Sequence, residues 1–311
     1  MLASKIRIFQ RHWLTFCTVL LAGCSGTALI NAVTPADSYT LRGGLSYGPL
    51  PRQEADLYIP KGEAPAGGYP LVVFFYGGTW NSGDRADYRF VGEAMAARGV
   101  MTLVADYQLY PTVSYPEFLR DGALAIRMAF TQAQAWGADP DRIFLLGHSA
   151  GAYNAAMLAL DTRWLSELQL SPDRLAGWGG LAGPYDFLPV VNPEARPVFH
   201  FPDTPTDSQP INHVNGRQAP AFLAVARDDE LVNPQRNTGH LADRLRAVGT
   251  PVTQVSYDRV SHLTLIGAFA RPLRFLAPVL DDFVRFLEQT GPRSTQRAAV
   301  PTPAPRLGRE G

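Results

Sequence analysis

Residues Ile143-Phe144-Leu145-Leu146-Gly147-His148-Ser149-Ala150-Gly151 decide the fold. Four apolar residues of strand character run into a Gly-x-Ser-x-Gly pentapeptide, and an Ala- and Leu-rich helical pattern, Ala150–Leu160, begins at once behind it. A strand, a turn of one residue and a helix leave the serine on a sharp bend. Glycines on both sides are what such a bend requires, and the serine is held exposed in a strained pose suited to nucleophilic attack. A serine that merely capped the helix would need neither glycine.

Outward from this point, apolar runs alternate with longer helical patterns. Leu71–Tyr76, Val100–Ala105, Ile143–Leu146 and Ala221–Ala226 are nearly all apolar, as strands covered on both faces must be. Between and after them, Ala86–Arg98, Tyr115–Trp136, Ala150–Leu160 and Pro234–Val248 read as helices. Gly99, Gly137 and Gly249 stand just past three of these, where a left-handed cap is wanted. The alternation predicts an α/β fold, a mostly parallel sheet with helices on both faces. Residues 185–219 break the rhythm with Pro, Asp and Asn and read as an inserted loop or small lid.

A serine hydroxyl attacks only with a base beside it and an oxyanion site opposite. Tyr76-Gly77-Gly78-Thr79-Trp80 closes the strand Leu71–Tyr76, where a glycine pair frees backbone amides to face an oxyanion, with the Ala150 amide as a further donor. Six histidines are available. His12 stands in the N-terminal basic and apolar stretch, His148 is locked beside the serine, His200 and His213 fall in the insertion, and His240 sits among polar helical neighbours. His262 follows a candidate strand, Val252–Tyr257, and completes a Ser, acid, His chain order. The acid comes from Asp228, Asp229 or Glu230, all at the end of Ala221–Ala226, where a carboxylate can orient the imidazole.

Composition narrows the remaining classes. The 311 residues carry 28 basic and 28 acidic side chains with 46% hydrophobic residues, so a full core is available and no electrostatic footprint for nucleic acid exists. Lys5, Arg7 and Arg11 precede the apolar run Trp13–Ala22 and then Leu21-Ala22-Gly23-Cys24, the order of a secretory signal. That apolar run is well short of the ~18 residues a membrane span needs. The last four residues resemble a bacterial lipobox, which implies cleavage after residue 23 and a diacylglyceryl group on Cys24. By the same resemblance, Ser25 in place of Asp implies sorting to the outer membrane. Removing residues 1–23 leaves 25 basic against 28 acidic side chains, a net charge of −3. The two cysteines of the chain are Cys17 and Cys24, so the mature domain has neither a disulfide nor a thiol nucleophile. Residues 24–38 read as a tether, 39–290 as the folded domain, and 291–311, with four Pro and four Arg, as a disordered tail.

Taken together, these segments resemble the α/β-hydrolase superfamily, and more narrowly the hormone-sensitive-lipase-like and bacterial/fungal feruloyl-esterase-like (BD-FAE) carboxylesterases, with arylformamidases close by. The similarity runs from about Tyr69 to Phe286 and includes Asp106-Tyr107-Gln108-Leu109-Tyr110-Pro111, Gly137-Ala138-Asp139-Pro140-Asp141-Arg142-Ile143, Gly183-Pro184-Tyr185-Asp186 and Gln209-Pro210-Ile211-Asn212-His213. The resemblance implies Ser149 as nucleophile, His262 as general base, Asp229 as the acid through its Asp-x-x-Val spacing, and Gly78, Thr79 and Ala150 as oxyanion donors. It implies ester hydrolysis through an acyl-enzyme on a small-molecule ester, with no metal or organic cofactor and no nucleic acid partner. An amide hydrolase of the arylformamidase or peptidase kind is the alternative, and an envelope binding protein on the same fold the non-enzymatic one. Two positions depart from the family pattern. Tyr76 stands where the oxyanion loop normally starts with His and must anchor that loop differently, while Thr79 replaces a common third glycine and narrows the acyl side. Asp106 and Asp186 also match family positions, and Asp106, ending a strand, is expected to brace loops.

Overall fold

The computed structural model describes residues 26–292. Cys24, the segment 1–23 and nearly all of the tail 291–311 lie outside the described residues. In chain order the elements are α1 (Gly26–Ala32), β1 (Tyr39–Ser46), β2 (Glu54–Pro60), β3 (Tyr69–Phe75), α2 (Arg89–Ala96), β4 (Met101–Ala105), α3 (Glu117–Trp136), β5 (Ala138–His148) and α4 (Ala150–Leu160). They continue with α5 (Thr162–Ser166), β6 (Gly177–Leu181), α6 (Ala195–Val198), β7 (Ala221–Ala226), α7 (His240–Ala247), β8 (Val252–Tyr257), α8 (His262–Gly267) and α9 (Val279–Thr290).

The strands form one sheet in the order β1-β2-β4-β3-β5-β6-β7-β8. From β4 to β8 neighbouring strands are parallel, and β2 pairs antiparallel with both β1 and β4. Strands β3, β4 and β7 are buried along their whole length, which is the environment their unbroken apolar runs require. Gly99, Gly137 and Gly249 all adopt positive φ just past a helix, as their positions predict.

Three strands escape periodicity. β1 and β2 lack a clean alternation, β1 being an exposed edge strand broken by a bulge at Gly43-Gly44. β6 is Gly177-Trp178-Gly179-Gly180-Leu181, a composition that argues against a strand. Its glycines answer to packing: a Cβ on Gly179 would come within 2.7 Å of the Phe283 ring, and one on Gly180 within 1.9 Å of the Tyr185 hydroxyl. Phe283 and Phe286 of α9 and Tyr185 of the insertion therefore fill the volume that β6 side chains would have taken.

The tether expected over residues 24–38 is corrected by α1. Asn31 ties this helix down, its Nδ2 donating to the Ala86 carbonyl at 2.8 Å and its Oδ1 accepting from the Phe90 amide at 3.2 Å. Arg89 donates to the Thr34 carbonyl at 3.0 Å. The insertion is likewise fastened rather than free. Asn237 Oδ1 accepts from the Tyr185 and Asp186 amides at 2.7 and 2.9 Å, Gln209 Oε1 accepts from Phe187 N at 2.8 Å, and Tyr153 donates to the Ser208 carbonyl at 2.7 Å. Its exposed residues 191–194 line the cavity described below.

Candidate active site

β5 ends at His148 and α4 starts at Ala150, leaving Ser149 alone on the bend with φ 54° and ψ −120°. A non-glycine residue there stores strain of order 1–3 kcal/mol, which the surroundings must offset. They do so by close backbone packing. A Cβ on Gly147 would lie 2.0 Å from the Gly151 carbonyl oxygen, and one on Gly151 would lie 2.0 Å from that of Phe75. Both glycines of the pentapeptide are thus imposed by the approach of α4 to β3 and β5. The Ser149 amide donates to the Leu181 carbonyl at 2.8 Å, fixing the bend to the end of β6.

His262 is the first residue of α8, behind the capping residue Ser261, whose reciprocal bonds with Thr264 set where the helix starts. From there the imidazole Nδ1 donates to Asp229 Oδ2 at 2.8 Å, and Nε2 accepts from Ser149 Oγ at 2.9 Å. Asp229 Oδ1 takes the Leu231 and Val232 amides, each at 2.9 Å. Burial alone pushes the Asp229 carboxyl up, but the hydrogen bonds from His262 and from these amides hold it below its ordinary value. Of the three acids open on spacing, the structure brings only Asp229 to His262, while Asp228 and Glu230 are exposed. Position after β7 alone leaves the contiguous charges unranked; the Asp-x-x-Val spacing of the family resemblance points to Asp229, the acid that meets His262.

His148 points away from Ser149. Its Nε2 donates to the His262 carbonyl at 2.9 Å, and burial, followed by the proximity of the His262 imidazole, lowers its pKa to about 3. It is therefore a neutral spacer that holds the backbone of the base. His200 and His213 bond to the Tyr115 and Asp207 carbonyls, and His240 is half exposed near Asp186.

The loop after β3 packs directly on the serine, since a Cβ on Gly77 would sit 3.0 Å from that of Ser149. Gly78, Thr79 and Trp80 all have positive φ, at 129°, 50° and 57°. The Gly78 carbonyl turns into this bend to accept the Asn81 and Ser82 amides at 3.0 and 3.1 Å. In a planar trans peptide the Thr79 N–H then points the opposite way. Ala150 is the first residue of α4, and its N–H is one of the amides a helix start leaves without an intrahelical partner. Thr79, Ala150, Ser149 and His262 line one cavity.

Tyr76, where the family pattern has His, anchors the loop through its hydroxyl, which donates to Asp106 Oδ1 at 2.6 Å and accepts from Arg52 Nη2 at 2.6 Å. Its ring stacks between Tyr88 and Tyr107, with centroids at 5.3 and 4.9 Å. Asp106 also accepts from the Arg85 amide at 2.9 Å and from the Arg85 guanidinium, so it is a brace. Arg52 and Arg85, both essential to this network, escape sequence reading because Arg52 lies in the turn before the unread strand β2.

The BD-FAE family model matches residues 55–171 of the chain, from β2 through the turn after α5. Among solved structures, esterase B from Lactobacillus rhamnosis superimposes with a TM-score of 0.72 at 17% identity over 94% of this chain and 97% of that one. Thermogutta terrifontis esterase 2 does so at 0.66 and 21% identity, over 82% and 95%. The chain has the α/β-hydrolase fold. Its similar sequences include a probable isoprenylcysteine alpha-carbonyl methylesterase of Arabidopsis thaliana, 26% identical over 72% of this chain and 51% of that protein. Esterase LipC of Mycobacterium tuberculosis is 29% identical over 74% and 59%. The chain thus spans between half and three-fifths of the length of these curated relatives.

In this fold the cavity over Ser149 has a volume of about 680 Å³. Trp80, Phe187, Val190 and Leu231 supply apolar wall, and Glu194 and Glu230 stand on it as carboxylates. Arg236 is already engaged, donating to the Leu188 carbonyl and lying 3.3 Å from Asp186. No helix among the described residues is long and apolar enough to cross a membrane.

Proposed function

We propose that the protein is a serine hydrolase that cleaves small-molecule carboxylic esters through an acyl-enzyme. One observation carries this reading: the continuous relay Asp229–His262–Ser149, at 2.8 and 2.9 Å, beneath a loop of left-handed residues and a free helix start. Ser149 Oγ attacks the ester carbonyl carbon while His262 Nε2 takes its proton. The carbonyl oxygen becomes an oxyanion held by the amides of Gly78, Thr79 and Ala150, each such donor being worth about 10²–10³ in rate. Collapse breaks the C–O bond to the alcohol, which leaves with the proton from His262. Water, deprotonated by the same imidazole, then attacks the acyl carbon; collapse breaks the bond to Ser149 Oγ, which takes the proton back from His262, and the acid is released. Asp229 keeps Nδ1 protonated throughout, so that Nε2 is always the atom that exchanges the proton.

The activities of the relatives, a methylesterase and an esterase, support ester rather than amide substrates. A kynurenine formamidase of Danio rerio, 26% identical over 47% of each chain, favours formamides as the second reading. The test is hydrolysis of p-nitrophenyl esters from acetate to laurate by wild type and Ser149→Ala, with a matched formanilide beside them. Ester turnover that vanishes in the variant supports the proposal. A folded wild type that cleaves only the formanilide transfers the assignment to amides.

The basic, apolar and Leu21-Ala22-Gly23-Cys24 pattern further supports a lipid-anchored protein of the bacterial cell envelope, held through Cys24 in the outer membrane. Incorporation of labelled palmitate into wild type but not Cys24→Ala, with membrane fractionation, tests this placement.

A further inference from the structure

We propose that Asn154 is a positioning residue that presets the oxyanion loop through the indole of Trp80; the inference rests on the hydrolase reading above and deepens it. Asn154 lies on α4, five residues past Ser149, and is fully buried in a helix whose other residues are almost all apolar. Its Oδ1 accepts from Trp80 Nε1 at 3.0 Å, and its Nδ2 finds no acceptor among the described residues. A half-satisfied amide in such a place costs stability that an apolar side chain of the same size would not. The retained contact therefore has another role.

That role follows from what Trp80 adjoins. Trp80 and Thr79 are consecutive non-glycine residues at positive φ, a conformation the loop would leave if released. Two bonds hold Trp80, one from its indole to Asn154 and one from the Tyr110 amide to its carbonyl at 2.8 Å. Its ring also packs edge-on against Phe199 and Tyr153, with centroids at 4.8 and 5.1 Å. Aromatic packing alone permits rotation and sliding of the ring, whereas the indole N–H admits one acceptor direction. Because Ser149 is the capping residue of α4, the helix that carries Asn154, the bond places the Gly78 and Thr79 amides in the frame of the nucleophile. Sequence order hides this, since the two partners are separated by 74 residues.

The test uses the full folded domain with p-nitrophenyl acetate, active sites being counted by stoichiometric reaction with a phosphonate. A trifluoromethyl ketone serves as the probe of the tetrahedral adduct. Asn154→Leu keeps volume and removes the acceptor. It should lower kcat per titrated site by about 10–100-fold, the effect of a displacement near 1 Å, with KM within about threefold. The ketone should weaken by the same factor, because its adduct needs the preset amides. Asn154→Asp, which keeps the acceptor, should restore kcat to within about fivefold of wild type, and Asn154→Leu/Trp80→Phe should lose no more than the worse single variant. Trp80→Phe carries the test if Asn154→Leu does not fold. An unchanged kcat per titrated site, or losses that multiply in the double variant, overturns the proposal. A folded wild type that neither hydrolyses the ester nor reacts with the phosphonate removes the hydrolase reading, and this proposal with it.

Discussion

Replacing Asp229 by asparagine changes one atom and should stop the proposed chemistry. Asp229 Oδ1 already accepts two backbone amides, from Leu231 and Val232, so an asparagine at 229 would keep its oxygen on that side. Its NH₂ must then face His262, where the carboxylate now accepts from Nδ1 at 2.8 Å. Two donors cannot share that contact. The imidazole moves its proton to Nε2, and Nε2 can no longer accept from Ser149. A wrong tautomer of this kind costs about 10⁴ in kcat in serine hydrolases, close to 5 kcal/mol of barrier. Asp228→Asn, at an exposed position, should stay within about twofold, as surface changes away from a site do. Steady-state hydrolysis of p-nitrophenyl acetate by the two variants separates these cases, with thermal unfolding showing that both are folded. An Asp229→Asn enzyme retaining more than about a tenth of wild-type kcat refutes the tautomer argument, which requires a loss of about 10⁴. A greater loss in Asp228→Asn refutes the choice of acid.

Three further outcomes are expected. Gly151→Ala drives a Cβ to 2.0 Å from the Phe75 carbonyl oxygen, an overlap no rotamer relieves, and should cost ~3 kcal/mol or prevent folding, as read by urea denaturation. His148 binds a proton near 6.5 when unfolded but only near 3 when folded, so the unfolded chain takes up more protons below neutrality and stability falls as the pH is lowered. About 2 kcal/mol should be lost between pH 7 and pH 5, and His148→Gln should lack this component; identical pH slopes for the two proteins would count against it. Tyr76→Phe removes the hydroxyl between Asp106 and Arg52 and should destabilise by about 1–3 kcal/mol, with a fall in kcat if the network steadies the oxyanion loop. An unchanged melting temperature would show that Arg85 and Arg52 satisfy Asp106 without the hydroxyl.

Legibility followed the range of the forces involved. The buried strands β3, β4 and β7 and the elbow at Ser149 were readable because each is encoded by adjacent residues: apolar runs, a Gly-x-Ser-x-Gly turn, and glycines past helix ends. Ser149 and His262 could be named by chain order alone. β6 could not be read, because its glycines reflect the rings of Phe283, Phe286 and Tyr185 arriving from distant segments. α1 was missed for a similar reason: its support comes from Asn31 bonding to Ala86 and Phe90, not from its own short sequence.

By itself, then, the sequence determined the class of fold, the residue on the bend and the histidine that follows the last strand. All of these are written in local pattern or in order along the chain. How Tyr76 replaces a histidine as anchor and how Asn154 reaches Trp80 were decided only in three dimensions. Each depends on a hydrogen bond whose length and direction are set by packing between elements far apart in sequence, and no spacing of residues encodes an angle.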